Sequence, residues 1–256
     1  MKHLGPAACG SGSTVQSPAL AGLANAASPT ARELLAGARC VVFDLDGTLV
    51  DTLPDLVDGL QQALRRHGLA LVDAGVVRES LHLGLEGTVD AAVKALGVAN
   101  HWRDTLFESY CEALERRGDG CARCFPGVEA VLHELRDRGA PLAVCTNKPA
   151  WPTRRLLARL GLLGHFQEIV GADTCAFRKP HPEPLRWAMH QLGAEAATTL
   201  LIGDSAIDLA CAQAVGVGCL IFEGGYGGTF DGGRRFASYN ELLEPPRPGG
   251  QPGQRP

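Results

Sequence analysis

The sequence predicts an α/β protein, a doubly wound parallel sheet with an inserted α-helical cap domain, on three observations. Short apolar runs stop at polar clusters, the way buried parallel strands deliver side chains to a crevice at their carboxyl ends. Amphipathic helical segments alternate with those runs. Between the first run and the second, residues 53–124 read as four helices where a crossover needs only one.

Residues 1–36, rich in Gly, Ser, Pro and Ala, read as a flexible N-terminal extension, although Thr30 is placed to cap a short helix from Ala31 to Ala36. The core is assigned to 37–52 and 125–243. Its first strand, Cys40-Val41-Val42-Phe43, runs into Asp44-Leu45-Asp46-Gly47-Thr48. The cap, 53–124, carries apolar residues at helical spacing over Asp55–His67, Val76–Leu83, Gly87–Leu96 and Trp102–Arg117. Because it begins directly after the first acidic cluster, it is expected to lie over the site as a lid.

Past the cap, Val128, Val131, Leu132 and Leu135 share one face of a helix over Val128–Arg138. A second strand, Pro141–Cys145, leads to Thr146-Asn147-Lys148, and helices follow at Thr153–Leu160 and Pro184–Leu192. On the latter, Leu185, Trp187 and Met189 read as packing residues, and His181 as a loop residue between prolines. The third strand, Thr199–Ile202, leads to Gly203-Asp204-Ser205. Beyond Phe222, Glu223–Gly228 reads as a flexible loop near the sheet edge. Ser238-Tyr239-Asn240-Glu241 has the capping-box pattern of a short final helix, and 244–256 read as a disordered tail.

The chain has 256 residues, with 24 basic and 28 acidic side chains and a net charge of −4. No basic field is present to hold nucleic acid or an anionic membrane, so charged ligands must be bound locally. Apolar runs such as Leu200-Leu201-Ile202 are far short of a bilayer span, and Met1-Lys2-His3 is not followed by the apolar segment of a secretory signal. Nine scattered cysteines do not form a secreted disulfide framework, and the expected location is the cytoplasm. Cys121-Ala122-Arg123-Cys124 is a lone Cys-x-x-Cys, read as a linker with two incidental thiols rather than as a zinc site.

Chemistry comes from convergence. In a parallel sheet Asp44 and Asp46, Thr146, Lys179 and the pair Asp204 and Asp208 all reach the same crevice. Carboxylates that close together repel one another unless a hard divalent cation, here expected to be Mg²⁺, lies among them. Such a cation, a lysine and free backbone amides suit a phosphoryl group. One carboxylate can attack phosphorus to give an aspartyl phosphate while a second handles protons.

Asp44-Leu45-Asp46-Gly47-Thr48-Leu49-Val50-Asp51, Cys145-Thr146-Asn147-Lys148-Pro149, Arg178-Lys179-Pro180-His181-Pro182 and Gly203-Asp204-Ser205 with Asp208 resemble the four motifs of the haloacid dehalogenase superfamily. Within it, the runs around Thr48, Thr146 and Lys179 resemble the phosphoglycolate phosphatase branch. The resemblance implies Asp44 as nucleophile and Mg²⁺ ligand, and Asp46 as general acid/base whose backbone carbonyl also binds Mg²⁺. It further implies Thr146 and the Asn147 amide on the phosphoryl oxygens, Lys179 neutralising charge, Asp204 as a Mg²⁺ ligand and Asp208 supporting the metal site. Asp46 argues against carbon-halogen hydrolysis, because a halide leaves without a proton.

The expected function is therefore a Mg²⁺-dependent phosphatase acting on a small phosphorylated metabolite, phosphoglycolate first, as a monomer or homodimer. Sugar phosphates such as N-acetylmuramic acid 6-phosphate, or a phosphomutase of the same superfamily, are the alternatives, and a phosphoryl-accepting signalling module or a catalytically silent binding protein fits less well. Substrate recognition is expected from 78–88, with Arg78, His82, Gly84, Glu86, Gly87 and Thr88, unless these are merely exposed loop residues. The sequence departs from the branch at Val215-Gly216 and at Glu223–Phe230, neither of which is expected to touch the catalytic set.

Overall fold

The computed structural model of the protein describes residues 29–117 and 120–243, the side chain of Arg117 excepted, so the expected tail at 244–256 and residues 1–28 lie outside the described residues. Order begins earlier than the flexible extension to residue 36 allows. Ala31–Gly37 (α1) is a helix whose Thr30 hydroxyl accepts from the Glu33 N–H at 3.2 Å while the Glu33 carboxylate accepts from the Thr30 N–H at 2.7 Å. These bonds satisfy amides that a helix start leaves unpaired, and Leu35 anchors the turn in the core.

Six strands form the main sheet. Cys40–Phe43 (β1) lies at its centre, flanked by Leu142–Cys145 (β4) and Thr199–Gly203 (β6). Glu168–Val170 (β5) lies outside β4, and Gly218–Phe222 (β7) and Arg234–Phe236 (β8) lie outside β6, with every neighbouring pair parallel. Phe43 is in register with Val144 on one side and Ile202 on the other, so the residues following all three strands emerge together. The chain runs outward from β1 through β4 to β5, then crosses back to β6 on the other side of β1 and runs outward through β7 to β8, which makes β1 and β6 the switch point of the sheet.

Side chains alternate along each strand and divide the core in two. Val41, Phe43, Val144 and Ile202 face a cluster that includes Val128, Val131, Leu132 and Leu135 of Val128–Asp137 (α6) and Leu156 and Leu157 of Ala150–Arg159 (α7). Cys40, Val42, Ala143, Cys145 and Leu201 face Leu185, Ala188 and Met189 of Glu183–Gln191 (α8) and Cys211 and Ala212 of Ala206–Val215 (α9). Trp187, by contrast, is half-exposed. The expected final helix is a single 3₁₀ turn, Tyr239–Leu242, in which Ser238 bonds the Asn240 N–H and the Glu241 carboxylate reaches the Ala237 N–H instead of closing a box.

The segment between β1 and β4 carries its own apolar cluster, with Leu56, Leu60, Leu64, Val77, Val89, Leu106 and Tyr110 buried together. It consists of Leu53–Arg66 (α2), Ala74–Ser80 (α3), a 3₁₀ turn at Leu81–Leu83, Gly84–Leu96 (α4) and Trp102–Arg117 (α5). Its two ends are stitched together. Val50–Asp51 (β2) pairs antiparallel with Arg123–Cys124 (β3), and the Asp55 carboxylate accepts from the Cys121 and Ala122 N–H groups at 3.0 and 2.8 Å. Among the described residues no helix is long and apolar enough to cross a membrane.

Candidate active site

Three strand ends set the floor of the crevice. Asp44 follows β1, its N–H bonded to the Ile202 carbonyl; Thr146 follows β4, its N–H bonded to Val170; Asp204 follows β6. Asp46 stands two residues past Asp44 because the chain turns at Gly47, whose φ of +83° disfavours other residues. A Cβ at Gly47 would also meet Asp204 Oδ2 at 2.6 Å, and one at Gly203 would meet Asp208 Cγ at 2.4 Å. Both glycines are set by close approach to the acids.

Asp44, Asp204 and Asp208 offer carboxylate oxygens within 4.8 Å of one another, all buried. The Lys179 ammonium lies 2.9 Å from Asp44 Oδ1 and 2.6 Å from Asp208 Oδ1. The other oxygen of Asp208 accepts from the Ser205 hydroxyl at 2.5 Å and its N–H at 3.1 Å, so both Asp208 oxygens are engaged within the protein. Asp204 accepts from the Thr48 hydroxyl and from the Tyr226 and Gly227 N–H groups.

Burial pushes the Asp44 carboxyl up to about 7, against the pull of Lys179 and with Asp208 and Asp204 adding to it. Asp204 is likewise pushed up, to about 6, by burial and then by Asp208. Burial also presses Lys179 toward neutrality, but Asp208 and Asp44 outweigh it and hold the ammonium well above the usual lysine range. One lysine thus serves a site with three buried carboxylates, leaving excess negative charge. An all-oxygen donor set of that charge fits a hard divalent cation.

Asp46 stands at the mouth. Its Oδ1 accepts from the Thr52 hydroxyl at 2.7 Å and lies 3.2 Å from Lys148 Nζ, which is 3.4 Å from Oδ2. Asn147 donates from Nδ2 to the Lys179 carbonyl at 3.0 Å and to the His82 carbonyl at 3.4 Å, tying two core loops to the helical segment. The floor opens into a cavity of about 330 Å³ roofed by Leu56, Leu81, Leu85 and Phe107, with His82 and Glu86 as polar groups and Arg178 facing Glu86 at 3.7 Å.

Of the residues 78–88, Leu81, His82, Gly84, Leu85 and Glu86 line this cavity. Arg78 lies over the Tyr226 ring instead, 5.9 Å from its centroid, and Thr88 bonds the Gly84 carbonyl within α4.

Glu223–Gly228 requires correction twice. It is not a free loop at the sheet edge, and it does touch the acidic cluster. Besides the two amides on Asp204, the Tyr226 hydroxyl donates to the Asp51 carboxylate and accepts from the Thr52 and Leu53 N–H groups at 2.9 and 3.0 Å. A Cβ at Gly225 would fall 2.3 Å from Asp204 Cβ, and one at Gly227 would fall 2.3 Å from the Asp204 carbonyl oxygen. Glycine in this loop marks backbone pressed against the site. An aromatic residue among closely spaced glycines is the sequence signal that carried this information. Lys148, Thr52 and Ser205 also belong to the site, although composition and spacing gave them no role.

The profile of the haloacid dehalogenase-like hydrolase family matches residues 41–222. A phosphoglycolate phosphatase of Rhodospirillum rubrum is 39% identical over 228 residues, covering 83% of this chain and 93% of the relative. One from Mesorhizobium japonicum is 38% identical over 190 residues, covering 73% and 83%. A crystal structure of a predicted phosphoglycolate phosphatase from Haemophilus somnus superposes with a TM-score of 0.73 at 25% identity, covering 80% of this chain and 96% of that one. CbbY of Rhodobacter sphaeroides, in complex with xylulose-1,5-bisphosphate, shares the fold with a TM-score of 0.69 at 22% identity, covering 80% and 96%. With its acidic motifs gathered at the switch point of a parallel sheet, the chain belongs to the haloacid dehalogenase-like hydrolase family, as a phosphoric monoester hydrolase of the phosphoglycolate phosphatase-like kind.

Proposed function

We propose that the protein hydrolyses phosphoglycolate in a Mg²⁺-dependent reaction through an aspartyl phosphate on Asp44. The observation that carries this reading is the pairing of one buried, lysine-bonded carboxylate with a second at the mouth, Asp44 beside Lys179 at 2.9 Å and Asp46 two residues on. A metal would be held by the carboxylates of Asp44 and Asp204 and the backbone carbonyl of Asp46. When bound, it supplies positive charge for the phosphoryl oxygens and keeps the acidic cluster ionised.

In the first step an Asp44 oxygen forms a bond to phosphorus as the ester P–O bond breaks, and Asp46 gives its proton to the leaving glycolate oxygen. In the second, Asp46 takes a proton from water, the water oxygen bonds to phosphorus, and inorganic phosphate leaves with Asp44 restored. The Thr146 hydroxyl and Asn147 amide bind phosphoryl oxygens, and Lys179 balances their charge. Asp208 positions Lys179 and Ser205, consistent with its two engaged oxygens. The helical segment acts as a cap that excludes water and chooses the substrate.

The test is phosphate release from a panel of small phosphorylated acids and sugars, ranked by kcat/KM, with EDTA and then excess Mg²⁺. Phosphoglycolate is expected to rank first and EDTA to stop turnover. A higher rank for N-acetylmuramic acid 6-phosphate would make the enzyme a sugar phosphatase, and an isomeric product without stoichiometric phosphate would make it a mutase.

A further inference from the structure

We propose that Lys148 selects for a carboxylate beside the scissile ester, releasing Asp46 to take the anionic end of the substrate. This rests on the phosphoglycolate reading and names how that substrate is recognised.

Lys148 is held close to the phosphoryl cradle. Its N–H bonds the Thr146 hydroxyl at 3.2 Å, and its ammonium, on a side chain only 14% exposed, lies 3.2 and 3.4 Å from the two oxygens of Asp46. It also lines the cavity. In phosphoglycolate the ester oxygen that Asp46 serves is two bonds from the carboxylate carbon. Wherever Asp46 reaches that oxygen, the substrate carboxylate falls beside Asp46 as well. Two anions at that spacing repel unless a cation lies between them, and Lys148 already stands there.

The exchange leaves Asp46 with a partner, because its Oδ1 also accepts from the Thr52 hydroxyl at 2.7 Å. The other cations near the cavity are committed elsewhere. Lys179 is bonded to Asp44 and Asp208, Arg178 is half-exposed against Glu86, and Arg78 stacks over Tyr226. A partly buried lysine is also worth more to an anion than an exposed arginine, since less solvent screens it.

Phosphoglycolate is to be compared with 2-hydroxyethyl phosphate, which replaces the carboxylate by a neutral alcohol, in the wild type, K148M, K148R and R178A. The readout is the ratio of the two kcat/KM values within each variant, which cancels any difference in the fraction of folded enzyme. K148M is expected to reduce the wild-type preference for phosphoglycolate about ten- to a hundredfold, the worth of one charge-assisted hydrogen bond, mainly through KM. K148R is expected to recover most of it, and R178A to change it less than about threefold, as a screened rim charge does.

Equal losses on both substrates in K148M would mean that Lys148 only positions Asp46, and would overturn the proposal. So would a preference lost in R178A but kept in K148M. A wild type with no preference for phosphoglycolate would overturn the substrate reading itself, together with this inference. A wild-type preference that survives in K148M would overturn the inference alone.

Discussion

The floor and the roof of the crevice are built on opposite principles. Asp44, Asp204, Asp208, Lys179 and Thr146 are all less than a tenth exposed, hydrogen-bonded to each other or to loop amides, and sit on the segments that follow β1, β4, β5 and β6 of one sheet, Asp208 in the first turn of α9. Leu56, Leu81, Leu85 and Phe107 form a roof that is mostly apolar, with one histidine and one glutamate, on helices with a core of their own. The charged groups sit at the ends of the sheet, held in place by hydrogen bonds to one another and to neighbouring loops. The surface that meets the variable part of a ligand sits where a change of side chain leaves the sheet untouched.

The largest test of this contrast is Asp44→Asn. On the proposed aspartyl-phosphate route, phosphate release is expected to fall by about 10⁴-fold or more, with the thermal melt retained because the substitution is nearly isosteric. Next is Leu60→Ala, which empties a fully buried position in the roof cluster. A cavity of that kind costs about 2–5 kcal/mol, and hydrogen exchange should accelerate in α2 to α5 and not in the strands. Equal acceleration in the strands would show that the two clusters unfold as one.

A third test reads the charge of the floor through pH. Asp44 and Asp204 have carboxyls raised to about 7 and about 6 in the folded protein. In the absence of a cation their contribution to stability is complete below the unfolded value of about 4 and is lost as pH rises through 6 to 7. Metal binding competes with those protons. Mg²⁺ at about a hundred times its Kd is therefore expected to stabilise by about 2.7 kcal/mol at pH 8 and by clearly less at pH 5.5, read as the shift in Tm. An equal shift at both pH values would separate metal binding from these acids.

The smallest effect is expected at the joint between the regions. Tyr226→Phe removes the hydroxyl that joins Asp51, Thr52 and Leu53 at the start of α2, while leaving the amide bond to Asp204 in place. The loss is expected to be about 1–2 kcal/mol of stability, with faster exchange at residues 51–53, and a melt identical to wild type would show that the joint carries no energy.

Much of this arrangement is legible in the sequence. Cys40–Phe43, Leu142–Cys145 and Thr199–Gly203 are short, apolar and followed by acids or hydroxyls, and strand-end geometry sends such residues to one place. The outermost strand, β8, was not legible as such. Arg234-Arg235-Phe236 has no apolar run and is a strand because it pairs with Leu220–Phe222. Similarly, Glu223–Gly228 looks like a linker by composition, and only its proximity to Asp204 turns its glycines from looseness into close contact.

The sequence by itself determined the layered α/β architecture, the site of the helical insertion and the acids that define the family, because each is a local pattern with a single geometric outcome. Tertiary structure alone decided that Asp208 is occupied by Lys179 and Ser205, that Lys148 rests on Asp46 across 102 residues, and that Tyr226 binds the Thr52 amide at the start of α2 from 174 residues away. Those partners share no local pattern. They meet because a parallel sheet gathers distant loops at one edge, where burial makes each polar group find a partner.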